Sequence, residues 1–231
     1  MSQKIKAVVF DVDGTLYNET KLRRYVLWMI FVNFLKSPIR TYKYLKIVLS
    51  YRKFHEHLRF DAKTKNKFKA QVQITADKFG MNYDDVYKII NEWIHIKPLP
   101  FISKSKYKDL DSVIAWLKKN NFRIGLLSDY PCMRKAEALG IKDDMDLIKC
   151  STDEDIDFLK PSSLGFTRVA QILNLQPQEI AYVGDRSHID MVGAIDANFV
   201  PVLLHKKESS DKFYTINTLS ELIPLIEKLN S

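Results

Sequence analysis

The segment Asp11-Val12-Asp13-Gly14-Thr15-Leu16 sets two carboxylates two residues apart, followed by a glycine and a hydroxyl. Like charges this close raise one another's pKa unless a cation neutralises them. A hard divalent cation with oxygen ligands does so, and Mg²⁺ suits a site of one or two carboxylates completed by a substrate phosphate. Gly14 permits a tight backbone whose N–H groups, with that of Thr15, can face an anion. Three later stretches carry matching chemistry. Ser128-Asp129 offers a hydroxyl and a following backbone N–H suited to phosphoryl oxygens. Lys160-Pro161 places an amine just before a helix start near Ser162, where an anion is favoured. Gly184-Asp185, with Asp190 five residues on, adds more carboxylate.

The elements that must position these groups read as alternating strands and helices. Short apolar runs at Ile5–Phe10, Arg123–Leu127, Leu147–Cys150, Ile180–Val183 and Phe199–Leu204 are strand candidates. Helical patterns fall between them, over Asp109–Asn120, Met133–Leu139, Ser163–Leu173 and Asp190–Asp196. This alternation predicts an α/β fold, a Rossmann-like parallel sheet with helices on both faces. Ligands of such sheets bind outside the carboxyl ends of the strands. Asp11, Asp13, Ser128, Asp129, Lys160, Asp185 and Asp190 all fall at or just after those ends. Any one of them alone is more often a turn, a cap or a helix start; their joint order is what carries the reading.

The first two strands are separated by about 110 residues, far more than the dozen or so a crossover needs. The surplus reads as an inserted α-helical module. The expected division is 1–16 and 99–231 for the core and 17–98 for the insertion, with Pro98 and Pro100 as the return hinge. The stretch Leu22–Leu35 is apolar nearly all round. It is expected to pack inside the helical module, with a lid or dimer face and membrane contact as alternatives. Its most apolar part, Tyr25–Leu35, is about half the ~20 residues that span a bilayer. Lys63, Lys65, Lys67 and Lys69 are expected to scatter over a solvated face.

Composition bounds the rest. The 231 residues are 46% hydrophobic and 28% charged, with 7 Gly and 8 Pro, which excludes wholesale disorder and collagen-like character. A mean hydropathy of -0.21 excludes a polytopic membrane protein. The net charge of +8 favours anionic ligands. The basic residues form no arm of like charge, so nucleic acid is not an expected partner. Cys132 and Cys150 form no zinc or CxxC spacing and read as small buried hydrophobes. No targeting segment or membrane span is evident, so a cytoplasmic protein is expected, as monomer or homodimer. His55 and His57 have no carboxylate spacing that suggests a metal site. His188 reads as a surface residue at a helix start, with a site-edge contact as the alternative.

Taken together, these motifs resemble the haloacid dehalogenase superfamily, and within it the phosphoglycolate-phosphatase-like branch that carries a helical cap after the first motif. The resemblance covers about 1–17 and 100–205. It is most detailed over Ser151–Pro161 and over Val183-Gly-Asp185-Arg-Ser-His-Ile-Asp190-Met-Val-Gly193-Ala194. It implies a Mg²⁺-dependent phosphohydrolase acting on a small phosphorylated metabolite. Asp11 would be the nucleophile, forming an aspartyl-phosphate, and Asp13 the acid and base. Gly14, Thr15, Ser128, Asp129 and Lys160 would bind the phosphoryl group. Asp11, the Asp13 carbonyl and Asp185 would hold Mg²⁺, supported by Asp190. Asp13 argues for phosphate esters, since the dehalogenases of the family lack an acid there. A sugar-phosphate phosphomutase and a non-catalytic binding protein are the alternatives. Where family members often have Ala-Gly after the fourth motif this chain has Ala197-Asn198; Asn tolerates the left-handed backbone the glycine would supply.

Overall fold

The structure is a computed structural model and describes residues 4–204 and 210–231. The chain divides into two compact units, one of residues 1–18 and 106–231 and one of residues 19–105.

The first unit is built on six parallel strands: β1 (Ala7–Phe10), β2 (Arg123–Ser128), β3 (Leu147–Cys150), β4 (Ile180–Gly184), β5 (Val200–Leu204) and β6 (Tyr214–Ile216). Their order is β3-β2-β1-β4-β5-β6. From β1 the chain runs outward through β2 to β3, then returns to the other side of β1 with β4. The direction of winding therefore reverses between β1 and β4, and a crevice opens at such a switch point. Register aligns the strand ends: Phe10 pairs with both Leu126 and Val183, so Asp11, Ser128 and Asp185 leave the same edge of the sheet.

β1 and β4 are buried along their whole length, as expected for strands covered on both faces. Ala7, Val9, Leu127, Tyr182 and Leu203 share one core cluster with Phe166, Val169, Ala170 and Leu173 of α8 (Ser163–Leu173). Val8, Phe10 and Val183 alternate to the other face and are equally buried. α6 (Leu110–Lys119) packs against β2 and α10 (Leu222–Asn230), burying Leu110, Val113, Ile114 and Leu117 at helical spacing. α7 (Met133–Leu139) follows β2. A π-helical turn over Ser187–Met191 leads into α9 (Val192–Asp196) after β4. The expected Rossmann-like class holds. The apolar pattern does not foreshadow β6 or α10; Tyr214–Ile216 is three residues long and buries only Ile216, too little to show a period.

The second unit is all helical: α1 (Glu19–Lys36), α2 (Pro38–Arg59), α3 (Lys67–Phe79), α4 (Tyr83–Ile90), a π-helical turn (Asn91–Ile96) and α5 (Leu99–Ser105). Pro98 and Pro100 do not mark the return to the first unit. They fall at the start of α5, where the first-turn N–H groups have no helical partner to lose, and the division comes after Ser105. Two further expectations change. Lys67 is buried, not solvated: its ammonium donates to the carbonyls of Asp61 and Thr64. The Leu22–Leu35 stretch is not packed away, since α1 buries only Met29.

Candidate active site

Asp11 is the first residue beyond β1. Its backbone N–H donates to the Val183 carbonyl at 2.8 Å, which ties it to β4, and the residue is 1% exposed. Oδ1 accepts from Lys160 Nζ at 2.6 Å, and Oδ2 takes a longer contact from the Thr15 hydroxyl at 3.4 Å. Lys160 Nζ also donates to Asp190 Oδ1 at 2.6 Å and to the Tyr182 hydroxyl at 2.9 Å. That hydroxyl in turn donates to the Leu127 carbonyl at 3.1 Å. One ammonium is thus shared by two buried carboxylates and a phenol. Burial alone would lower the lysine pKa, but Asp11 and Asp190 hold it well above its ordinary value.

The carboxylates of Asp11, Asp185 and Asp190 each place an oxygen within 4.8 Å of the others; among the described residues they are the grouping that could hold a metal ion. Asp129 and Arg186 complete the charged shell, with Arg186 Nη2 at 3.5 Å from Asp129 Oδ2 and Nε at 4.0 Å from Asp190 Oδ2. Asp190 Oδ2 also accepts the Arg186 backbone N–H at 3.0 Å. Four carboxylates therefore face two cations. Asp11 registers the imbalance. Burial above all, opposed by Lys160 and reinforced by Asp190, pushes its pKa up to about 7 from an ordinary 3.8. An all-oxygen donor set with two excess negative charges fits a hard divalent cation.

Two glycines make the cluster possible. Gly14 has φ +91°, and a Cβ there would lie 2.5 Å from Asp185 Oδ2. At Gly184 a Cβ would lie 2.5 Å from the Asp190 Cβ. A third, Gly193, lets the Phe166 ring pack where its own Cβ would be, 2.4 Å from the ring. Phe166 meets Tyr182 edge-on, with centroids 4.7 Å apart, so α8 and the Lys160 loop before it are anchored to β4.

Asp13 stands apart from the buried cluster. Both its oxygens accept from Lys135 Nζ at 2.6 Å, and Oδ1 also accepts from the Tyr17 hydroxyl. Ser128 is buried at the end of β2, with its hydroxyl accepting from the Tyr130 N–H at 3.3 Å. Asp129, expected among the phosphoryl-binding residues, turns its carboxylate to the protein: Oδ1 accepts the Lys160 backbone N–H at 3.0 Å. A carboxylate so used positions the lysine and is the wrong charge to meet a phosphoryl oxygen itself.

Lys135, Tyr182, Arg186 and Tyr17 are not marked out by the sequence motifs. Lys135 does leave a signal, because it lies in phase with Ala136 and Leu139 on the inward side of α7. A tyrosine inside the buried run Ile180–Gly184 likewise demands a hydrogen-bond partner for its hydroxyl. His55 is buried, with Nδ1 3.2 Å from Gln71 Oε1; His188 is exposed on the π-helical turn. Cys132 and Cys150 are buried and free, and burial pushes the Cys150 thiol up to about 12. Asn198 takes the left-handed backbone, φ +59°.

A parallel α/β sheet thus carries a buried lysine–carboxylate cluster at its switch point, a grouping that could hold a metal ion. The chain matches the haloacid dehalogenase-like hydrolase family over residues 5–198 and belongs to it. Glyceraldehyde 3-phosphate phosphatase of Methanothermobacter thermautotrophicus is 24% identical over 211 residues, covering 88% of this chain and 87% of that protein. Pyrophosphatase PpaX of Bacillus mycoides is 23% identical over 258 residues, covering 98% and 99%. In fold, the chain is similar to the crystal structure of a 2-haloacid dehalogenase from Pseudomonas syringae pv. tomato, with a TM-score of 0.70 at 19% identity over 97% of this chain and 99% of that one. It is a hydrolase of this family.

Proposed function

We propose that this hydrolase is a phosphomonoesterase acting on a small phosphorylated metabolite through an aspartyl-phosphate on Asp11. The observation that carries the reading is the Asp11–Lys160–Asp190 cluster at the β1/β4 switch point, with Asp185 beside it. Asp11, Asp185 and the Asp13 backbone carbonyl would hold Mg²⁺, which supplies charge neutralisation for the approach of an anionic ester.

In the first step an Asp11 carboxylate oxygen attacks phosphorus and the ester oxygen leaves with a proton from Asp13. In the second, Asp13 takes a proton from water as it attacks the same phosphorus, releasing inorganic phosphate and restoring Asp11. Lys160 and the Ser128 hydroxyl stabilise the charge on the transferring oxygens, with the N–H groups of Gly14, Thr15 and Asp129 as further donors. Asp129 and Asp190 fix Lys160 from either end, backbone and ammonium, so little reorganisation is needed during transfer. Lys135 and Tyr17 orient Asp13. An acid two residues after the nucleophile supports ester hydrolysis over dehalogenation. The helical unit is the cap in this reading, and it selects among esters.

The test is phosphate release from a broad panel of phosphate esters, with Mg²⁺ and with EDTA, for wild type beside Asp11→Asn. Mg²⁺-dependent release that disappears in the variant is expected. A folded wild-type protein that releases phosphate from no ester would overturn the proposal.

A further inference from the structure

The net positive charge of this protein lies in one of its two units. Residues 19–105 hold 18 Lys and Arg against seven Asp and Glu, whereas the remainder holds 18 against 21. Within the helical unit the bias is sharper still. From residue 20 to residue 55 there are nine basic residues and no acidic one. All nine, Lys21 and Arg23 through Lys53, are exposed.

The same two helices expose large apolar side chains. On α1, Leu27 is 65% exposed, Trp28 62% and Phe31 58%, and Phe34 and Leu35 follow. At 3.6 residues per turn these five fall within about 120° of the helix circumference, opposite the buried Met29. α2 exposes an apolar stripe of its own, beginning at Ile39, which is 86% exposed. Tyr42 and Leu49 carry it along that helix, with Lys46 Nζ 4.5 Å from the centre of the Tyr42 ring. Soluble surfaces rarely leave contiguous apolar area of this kind uncovered.

We propose that the α1–α2 segment docks on an anionic lipid surface. Its aromatic and aliphatic stripe would enter the boundary between headgroups and acyl chains, and its exposed lysines and arginines would meet the lipid phosphates. The combination of Trp, Phe and Leu with an all-basic surround is that of a helix lying in a membrane interface. No helix among the described residues is long and apolar enough to cross a membrane, so the contact is peripheral. Charge decides against a second copy of this chain, because a two-fold contact would bring two such basic faces together. The apolar stripe decides against nucleic acid, whose backbone offers it nothing.

The experiment is flotation of the full-length protein with phosphatidylcholine vesicles, with and without 30 mol% phosphatidylserine. Partitioning is expected to rise about tenfold or more with the anionic lipid and to fall again between ~0.1 and ~0.5 M salt. Trp28→Ser/Phe31→Ser/Ile39→Ser and Arg40→Glu/Lys43→Glu/Lys46→Glu should each reduce it about tenfold. These positions are exposed, so both variants should keep the wild-type circular dichroism spectrum and Tm. The proposal falls if the protein ignores phosphatidylserine vesicles at low salt. It falls equally if the serine variant binds as well as wild type, or binds duplex DNA and vesicles alike, since the attraction is then to any polyanion. A dimer in light scattering that the serine variant dissolves would assign the face to a second copy and also overturn it.

Discussion

Replacing Asp11 with Asn should abolish turnover and, without metal, make the protein more stable above neutral pH. In the folded chain burial pushes the Asp11 pKa up to about 7 from an ordinary 3.8. That difference of about three units corresponds to about 4 kcal/mol, at ~1.36 kcal/mol per unit. The sign follows from proton linkage. Between about pH 4 and pH 7 the folded state holds a proton that the unfolded state has released, so stability falls as pH rises. The favourable contribution is complete below 3.8 and is lost once pH passes about 7. The asparagine side chain has no proton to lose and escapes this penalty. It also forfeits the ion pair with Lys160, but that ammonium keeps Asp190 and Tyr182, so a net gain of about 2 kcal/mol is expected at pH 8. For a chain of this length that is about 4–8 °C in Tm. Thermal melts in EDTA at pH 5 and pH 8 measure it. The gap between variant and wild type should be small at pH 5 and open by pH 8. Equal gaps at both pH values, or a less stable variant at pH 8, would refute the reasoning. Added Mg²⁺ should raise the wild-type Tm at pH 8 more than that of the variant, by mass action on the folded state.

Other outcomes follow from the same geometry. Lys160→Ala should lower kcat by at least about a hundredfold in the phosphate-release assay, the scale of losing a charge-stabilising donor; a loss of less than about twofold would remove the lysine from the reaction. Gly14→Ala must strain a φ of +91° and displace the Asp185 carboxylate, so the Mg²⁺ concentration for half-maximal activity should rise about tenfold or more. Phe166→Ala empties the contact that anchors α8 to Tyr182 and should cost about 3–5 kcal/mol in denaturant unfolding. Lys135→Ala, which frees Asp13 from its ammonium partner, should alter the pH profile of kcat more than KM; an unchanged profile would make Lys135 a structural lysine only.

Most of the first unit is legible in the order of its residues. Five of its six strands are short and largely apolar, and in β1, β2, β4 and β5 burial on both faces writes a nearly continuous apolar run that can be read directly. The helices over Met133–Leu139 and Ser163–Leu173 announce themselves by apolar spacing between the strands. Asp11, Ser128, Lys160, Asp185 and Asp190 stand out because each sits at the carboxyl end of such a run or in a loop beyond it. Pairing between distant segments is another matter, and it needed the folded chain. Lys135 reaches Asp13 across 122 residues of chain, and the Lys160 backbone N–H finds Asp129 across 31, contacts that no local pattern encodes. Asp129 shows the consequence: its position after Ser128 marks a backbone N–H for an anion, and only the fold shows that its carboxylate holds the Lys160 backbone N–H. Exposure of α1 was hidden for a related reason. A helix apolar on every side carries no phase to say which face is buried, and only its packing against α2 and α5 left Leu27, Trp28 and Phe31 to solvent.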